Sequence, residues 1–99
     1  MERIRLDLNV PEFQDSWFAL DRAEFDRVAA SLGKIRRMSW TDLQRSPGFK
    51  WEAIKSRAHV DGPRLYTLRI TQNCRAIVAR EGETLRLMRI CPDHDSAYQ

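Results

Sequence analysis

The sequence ends Cys-Pro-Asp-His-Asp-Ser-Ala-Tyr-Gln, which gathers His94, Asp95 and Tyr98 within five residues. Histidine is the side chain whose unperturbed pKa lies near neutrality, so His94 can give or take a proton at working pH. Tyr98 can donate a hydrogen bond or a proton to an oxyanion, and Asp95 is a candidate to orient His94. Taken alone, such an ending reads more readily as a frayed polar tail. Proton transfer gains a purpose beside an anion-binding group, and Arg69 and Arg75 supply one if both project from strands of a single sheet. Two such guanidinium groups can hold a phosphate and stabilise charge that develops on it. Arg89, on a further alternating segment, is a third candidate for substrate binding. Glu52, set between Trp51 and Ala53, is a candidate base whose pKa an apolar setting would raise. The plainer alternatives are arginines on solvated strand faces and a surface glutamate.

Other chemistries find little support. Cys74 and Cys91 lack metal-ligand spacing and read as buried free thiols. No phosphate-binding glycine loop, nucleotide fingerprint or His-Glu-x-x-His occurs, so neither a cofactor nor a zinc ion is expected. His59 falls in Ser-Arg-Ala-His-Val-Asp-Gly-Pro, a loop signal, and Trp17, Trp40 and Trp51 read as core rather than as base-stacking platforms.

Charge points to the partner. Residues 1–33 carry seven acids to four bases, residues 34–91 carry thirteen bases to five acids, and the tail adds two acids, for a net +3. The bases are 14 Arg to three Lys, and arginine's planar fork matches a phosphate in two hydrogen bonds. A polyanionic partner, nucleic acid or an acidic protein surface, is therefore favoured.

The elements that must position these residues follow from periodicity. Ninety-nine residues, 42% apolar and 31% charged, suit a single soluble domain spanning 1–99. No run reaches the roughly 18–20 apolar residues of a membrane span, and the start lacks a secretory signal, so a cytoplasmic protein with no membrane partner is expected. Ile4, Leu6, Leu8 and Val10 alternate with polar residues as a half-buried strand does, and Pro11 ends it. Residues 13–20 are ambiguous. Asp21 as N-cap with Glu24 as its reciprocal partner predicts a helix over about 22–32, stapled by Leu20 and Phe25 and capped by Gly33. Ser39 and Asp42 start a second helix that Ser46-Pro47-Gly48 stops, and 49–53 reads as weakly extended.

The last forty residues read as a meander of three antiparallel strands broken at Gln72-Asn73 and at Glu81-Gly82-Glu83. Alternation puts Tyr66, Leu68 and Ile70 opposite Arg69, and Arg75 opposite Cys74, Ala76 and Val78. In the third strand it groups Leu85, Leu87 and Arg89 on one face. The expectation is an α+β fold: a small antiparallel sheet, made of the N-terminal strand and the C-terminal meander, packed against two N-terminal helices.

The C-terminal half, with Gly-Phe-Lys-Trp-Glu-Ala-Ile, Leu-Tyr-Thr-Leu-Arg-Ile-Thr-Gln-Asn-Cys-Arg-Ala-Ile-Val and Leu-Arg-Leu-Met-Arg-Ile-Cys-Pro-Asp-His-Asp-Ser-Ala-Tyr, resembles the RelE/ParE superfamily of bacterial toxins. The match covers about half of the chain. It implies a RelE-like fold and an mRNA interferase, a metal-independent endoribonuclease that cuts messenger RNA in the ribosomal A site and is held inactive by a cognate antitoxin protein. It also implies messenger RNA and the ribosome as partners, with no small-molecule cofactor.

Carried over by position, Arg75 occupies the family's phosphate-binding arginine site, and Arg69 falls where ribosome-dependent members place a basic residue. Tyr98 matches the C-terminal tyrosine, His94 the histidine of the YoeB and HigB subgroups, and Glu52 is loosely placed against a glutamate base. Thr67 stands where the RelE prototype has a catalytic lysine, so a lysine-based mechanism does not transfer. The implied reaction is attack of a ribose 2′-hydroxyl on the adjacent phosphorus. Two other readings remain open at the level of sequence: a ParE-like toxin that binds DNA gyrase without nuclease activity, and a basic RNA-binding module without turnover.

Overall fold

The structure is a computed structural model that describes residues 3–54 and 64–92. Among them are three helices and five strands in the order β1 (Arg5–Asp7), α1 (Pro11–Phe18), α2 (Arg22–Arg36), α3 (Trp40–Arg45), β2 (Glu52–Ala53), β3 (Leu65–Thr71), β4 (Cys74–Glu81) and β5 (Thr84–Pro92). The strands form one sheet ordered β1-β5-β4-β3-β2. No helix of the described residues is long and apolar enough to cross a membrane.

β1 stops at Asp7, so the alternation through Leu8 and Val10 is not all strand and Pro11 does not end it. Pro11 stands at the start of α1, where its missing N–H is one that a helix leaves unpaired in any case. The ambiguous stretch is therefore a helix, and three helices pack where two were expected. α1 lies against β5, and the Ile90 N–H donates to Ser16 Oγ at 2.9 Å, so α1 covers backbone on β5 beyond the reach of the short β1.

The long helix α2 starts as its sequence dictates, with Asp21 Oδ1 accepting from the Glu24 N–H at 2.8 Å. It does not end at Gly33. Val28, Leu32 and Ile35 form one buried stripe, and Ile35 is fully enclosed. Burying that side chain is worth roughly 2 kcal/mol, which exceeds the roughly 1 kcal/mol penalty of an internal glycine. The helix accordingly runs on to Arg36 before Ser39 Oγ caps α3 by accepting from the Asp42 N–H at 3.1 Å.

The expected meander is present as β3, β4 and β5. The N-terminal strand departs from expectation, because β1 pairs with β5 in parallel, Arg5 opposite Thr84 and Asp7 opposite Arg86. Alternation marks which face of a strand is buried but carries no direction, so the sequence left this open. The weakly extended segment contributes β2, a two-residue edge strand paired antiparallel to β3.

Leu68, Ile70, Ala76, Val78, Leu85, Leu87 and Ile90 build the helix-bearing face of the sheet, against Phe13, Val28, Leu32, Ile35 and Leu43. Two register shifts adjust it. One lies between Arg69 and Thr71, which lets Thr71, paired with Cys74, turn toward α2. The other falls where Ile77 pairs with Arg89 but Val78 with Leu87, an extra residue at Met88. Leu87 therefore stays in the core while Arg89 lies on the opposite face, not beside Leu85 and Leu87 as simple alternation suggested.

The β4–β5 turn depends on Gly82, whose φ of 59° is left-handed. A Cβ there meets nothing within 4 Å, so only the backbone resists substitution. Gly82→Ala is expected to cost about 1–2 kcal/mol and to lower the melting temperature by roughly 4–8 °C per kcal/mol, as read by thermal denaturation.

Candidate functional site

The sheet face away from the core helices carries four of the predicted site residues, Arg69, Arg75, Glu52 and Arg89. Arg69 on β3 and Arg75 on β4 are direct cross-strand partners. Like charges placed directly opposite each other repel, so this pair is a position where stability is given up unless negative charge lies between them. One such charge is near: Glu52 Oε1 stands 3.9 Å from Arg75 Nη1. That is an ion contact too long for a hydrogen bond. The Arg75 side chain is 11% exposed and that of Glu52 61%. The geometry is thus a sunken guanidinium with an accessible carboxylate at its rim.

The apolar setting expected around Glu52 is absent. Trp51 stacks on Tyr66 at 4.6 Å between centroids and meets Trp40 edge-on at 5.9 Å, while Glu52, paired with Thr67, lies on the other face. Period-two alternation separates neighbours that adjacency in sequence had put together. Thr67 itself is buried at 1% exposure between Glu52 and Ile77, where it packs and has no titratable group to offer.

Arg89 reaches the same face through its pairing with Ile77. It is exposed and lies 3.9 Å from Glu12 of α1, so it flanks Arg75 and is drawn toward the α1 edge. Cys91 is the direct partner of Arg75, and burial pushes its thiol pKa up. Both cysteines are buried thiols, as read from their spacing. Trp17, Trp40 and Trp51 all pack with the core. His94, Asp95 and Tyr98 lie outside the described residues, as does His59. The last described residue, Pro92, pairs with Cys74 next to Arg75.

A residue that sequence reading placed elsewhere is Glu24. The capping box forms only by half, since the Glu24 side chain turns away from Asp21 and is buried. Its carboxylate accepts from the Thr71 hydroxyl in a short hydrogen bond, from Asn73 Nδ2 at 3.3 Å and from Arg27 Nη1 at 2.8 Å. The Thr71 bond first, then those of Asn73, Arg27 and Cys74, hold its pKa below the ordinary value against the opposing effect of burial. Glu24 thereby ties α2 to the turn between β3 and β4, the turn that separates Arg69 from Arg75. Among the described residues no group of three or more His, Cys, Asp or Glu side chains converges as metal ligands would.

No protein-family model matches this sequence. No curated protein matches it either. Solved structures do. A chain of the archaeal RelE–RelB complex from Pyrococcus horikoshii OT3 superposes with a TM-score of 0.62 at 13% identity, over 92% of this chain and 96% of that one. YoeB of Staphylococcus aureus, solved as a dimer, gives a TM-score of 0.52 at 12% identity, over 94% of this chain and 99% of that one. Parallel β1, the three-stranded meander and the helices on one face are together the RelE-like fold, and this chain has it.

Proposed function

We propose that the protein is the toxin of a toxin–antitoxin pair and that it acts as an endoribonuclease on messenger RNA. The observation that carries this reading is the Arg69–Arg75 pair with Glu52 at its rim, on the helix-free face of a RelE-like sheet. The archaeal RelE is seen in complex with RelB, and an antitoxin partner is the corresponding proposal here.

In the proposed reaction a ribose 2′-oxygen attacks the adjacent phosphorus, the bond to the 5′-oxygen breaks, and a cyclic phosphate and a free 5′-hydroxyl result. Arg75 and Arg69 bind the phosphate and stabilise the extra negative charge of the transition state. A base takes the 2′-hydroxyl proton and an acid protonates the leaving 5′-oxygen; His94 is the first candidate for this proton transfer, with Glu52 as the alternative base. A positioned acid or base contributes roughly 10² to 10⁴ in rate. Tyr98 orients the phosphate or the leaving group, and Arg89 binds a neighbouring part of the strand. The chain leaves β5 at Pro92, beside Arg75 in the sheet and two residues before His94. No metal ion is needed in this scheme, because the two arginines supply the positive charge.

The test is cleavage of one messenger RNA, mapped by primer extension, with and without programmed ribosomes and with His94→Ala as control. Cuts at codon positions that require the ribosome and vanish in the variant are expected. No cuts in either condition from folded protein would overturn the nuclease reading, and supercoiling by DNA gyrase would then be the activity to assay.

A further inference from the structure

We infer that the C-terminal ends of α2 and α3 and the turn that follows form a second RNA contact, a track for the phosphodiester backbone that continues the Arg69–Arg75 site. Residues 34–50 contain five bases, Lys34, Arg36, Arg37, Arg45 and Lys50, against one acid, Asp42. All five bases are exposed.

Elsewhere on the surface Arg22, Arg27, Arg86 and Arg89 each pair with a carboxylate, at 2.7–3.9 Å, whereas Arg3, Arg5, Arg64 and Arg80 form no ion pair among the described residues. What distinguishes residues 34–50 is that five such bases fall in one short stretch with a single acid. None of the five forms an ion pair among the described residues, and Lys34 lies instead 5.7 Å from the centre of the Phe49 ring. They are also joined. The Lys50 N–H donates to the Ser46 carbonyl at 3.2 Å, directly after Arg45, and the Arg69 N–H donates to the Phe49 carbonyl at 2.6 Å, directly before Lys50. These backbone bonds tie the segment that carries Arg45 and Lys50 to β3, the strand that holds Arg69.

Attraction to the helix dipoles accounts for part of this pattern, since cations are favoured in the last turn of a helix. It does not account for Lys50, which lies outside any helix with a φ of 48°. Glycine or asparagine would hold that backbone with less strain, and strain kept at a charged residue points to use of its side chain. A row of exposed, unpaired bases on a strained turn fits a flexible polyanion whose phosphates repeat along a line.

This inference rests on the RNA-cleaving reading but is tested separately from it. Binding is read by fluorescence anisotropy with a roughly 20-nucleotide single-stranded RNA, 2′-O-methylated so that it has no nucleophile, between about 50 and 200 mM KCl. Removing one phosphate interaction lowers the salt slope by about 0.7, so the triple variant R36Q/R37Q/R45Q is expected to lose about 2 in slope and roughly a hundredfold in affinity near 0.1 M salt. Lys50→Gly is expected to lose roughly fivefold while melting at or above the wild-type temperature, a combination that a purely structural lysine would not give.

Co-sedimentation of the same variants with ribosomes distinguishes the source of the backbone. Weakened binding to the oligonucleotide alone assigns the track to messenger RNA, and weakened binding to ribosomes alone assigns it to ribosomal RNA. Wild-type binding by the folded triple variant in both arms, or no binding of either RNA by the wild type, would overturn it. Unaltered cleavage by Arg75→Ala would instead overturn the nuclease site and leave the track standing.

Discussion

Arg75→Ala is expected to slow messenger RNA cleavage by about a hundredfold or more, the size of the effect when one charge-stabilising group is taken away from a transition state. The expectation follows from placement. Arg75 is nine-tenths buried on a central strand, so its guanidinium is held by the sheet and meets an incoming phosphate without first being ordered. Its direct partner Arg69 lies on the neighbouring strand, and an anion bound between them relieves their repulsion. The variant also removes the ion partner of Glu52, but with a side chain 61% exposed and a separation of 3.9 Å that pairing is worth little to stability. Arg75→Lys, which keeps the charge and gives up the planar fork, is expected to retain part of the activity. The measurement is single-turnover cleavage at saturating protein, with thermal denaturation to establish that each variant is folded. Cleavage at the wild-type rate by folded Arg75→Ala would remove the basis for the site.

The site was legible in sequence to the extent that strand alternation governs it. Period two set Arg69 and Arg75 apart from Leu68, Ile70 and Ala76, but a two-residue break at Gln72-Asn73 by itself would put Arg69 opposite Ala76. It is the register shift between Arg69 and Thr71, which the sequence does not announce, that sets the two arginines opposite each other. Period two also misplaced Arg89, because an extra residue at Met88 inverts the phase and nothing in Leu-Arg-Leu-Met-Arg-Ile announces a bulge. Glu52 was found by type but misjudged in setting, since its bulky neighbour Trp51 packs on Tyr66 across the sheet. Helix α1 was hidden because its core contact rests on the single fully buried residue Phe13, too sparse a stripe to show a period. Gly33 misled in the opposite direction. A glycine cap is a local preference of about 1 kcal/mol, and tertiary burial of Ile35 overrides it. The direction of β1 is a property of topology, which no local pattern carries.

Glu24→Ala is expected to destabilise the protein by about 2–3 kcal/mol and to lower its melting temperature by on the order of 10–20 °C. The buried carboxylate is the common acceptor for the Thr71 hydroxyl, the Asn73 amide and Arg27, so its removal deletes three hydrogen bonds at once and leaves a gap between α2 and the β3–β4 turn. The effect also carries a pH signature. Because the folded pKa of Glu24 lies below its ordinary value of 4.5, the unfolded chain binds the proton more readily. The stabilisation is therefore complete above about pH 4.5 and is lost as pH falls through the depressed folded value. Asp7 is depressed as well, chiefly by the Asn9 N–H and by Arg86, and contributes in an overlapping acid range. Comparison with Glu24→Gln isolates Glu24, since that variant keeps the shape and does not titrate. The melting temperature of the wild type is expected to fall more steeply below pH 4.5 than that of Glu24→Gln. Parallel pH profiles, or a Glu24→Ala protein that melts with the wild type, would show that the cluster does not bear on stability. The consequence reaches the proposed site, because Glu24 fastens α2 to the turn that sets Arg69 against Arg75. Below its own melting temperature Glu24→Ala is expected to cleave RNA several-fold more slowly than Glu24→Gln, by letting the two arginines drift from the geometry that a phosphate requires.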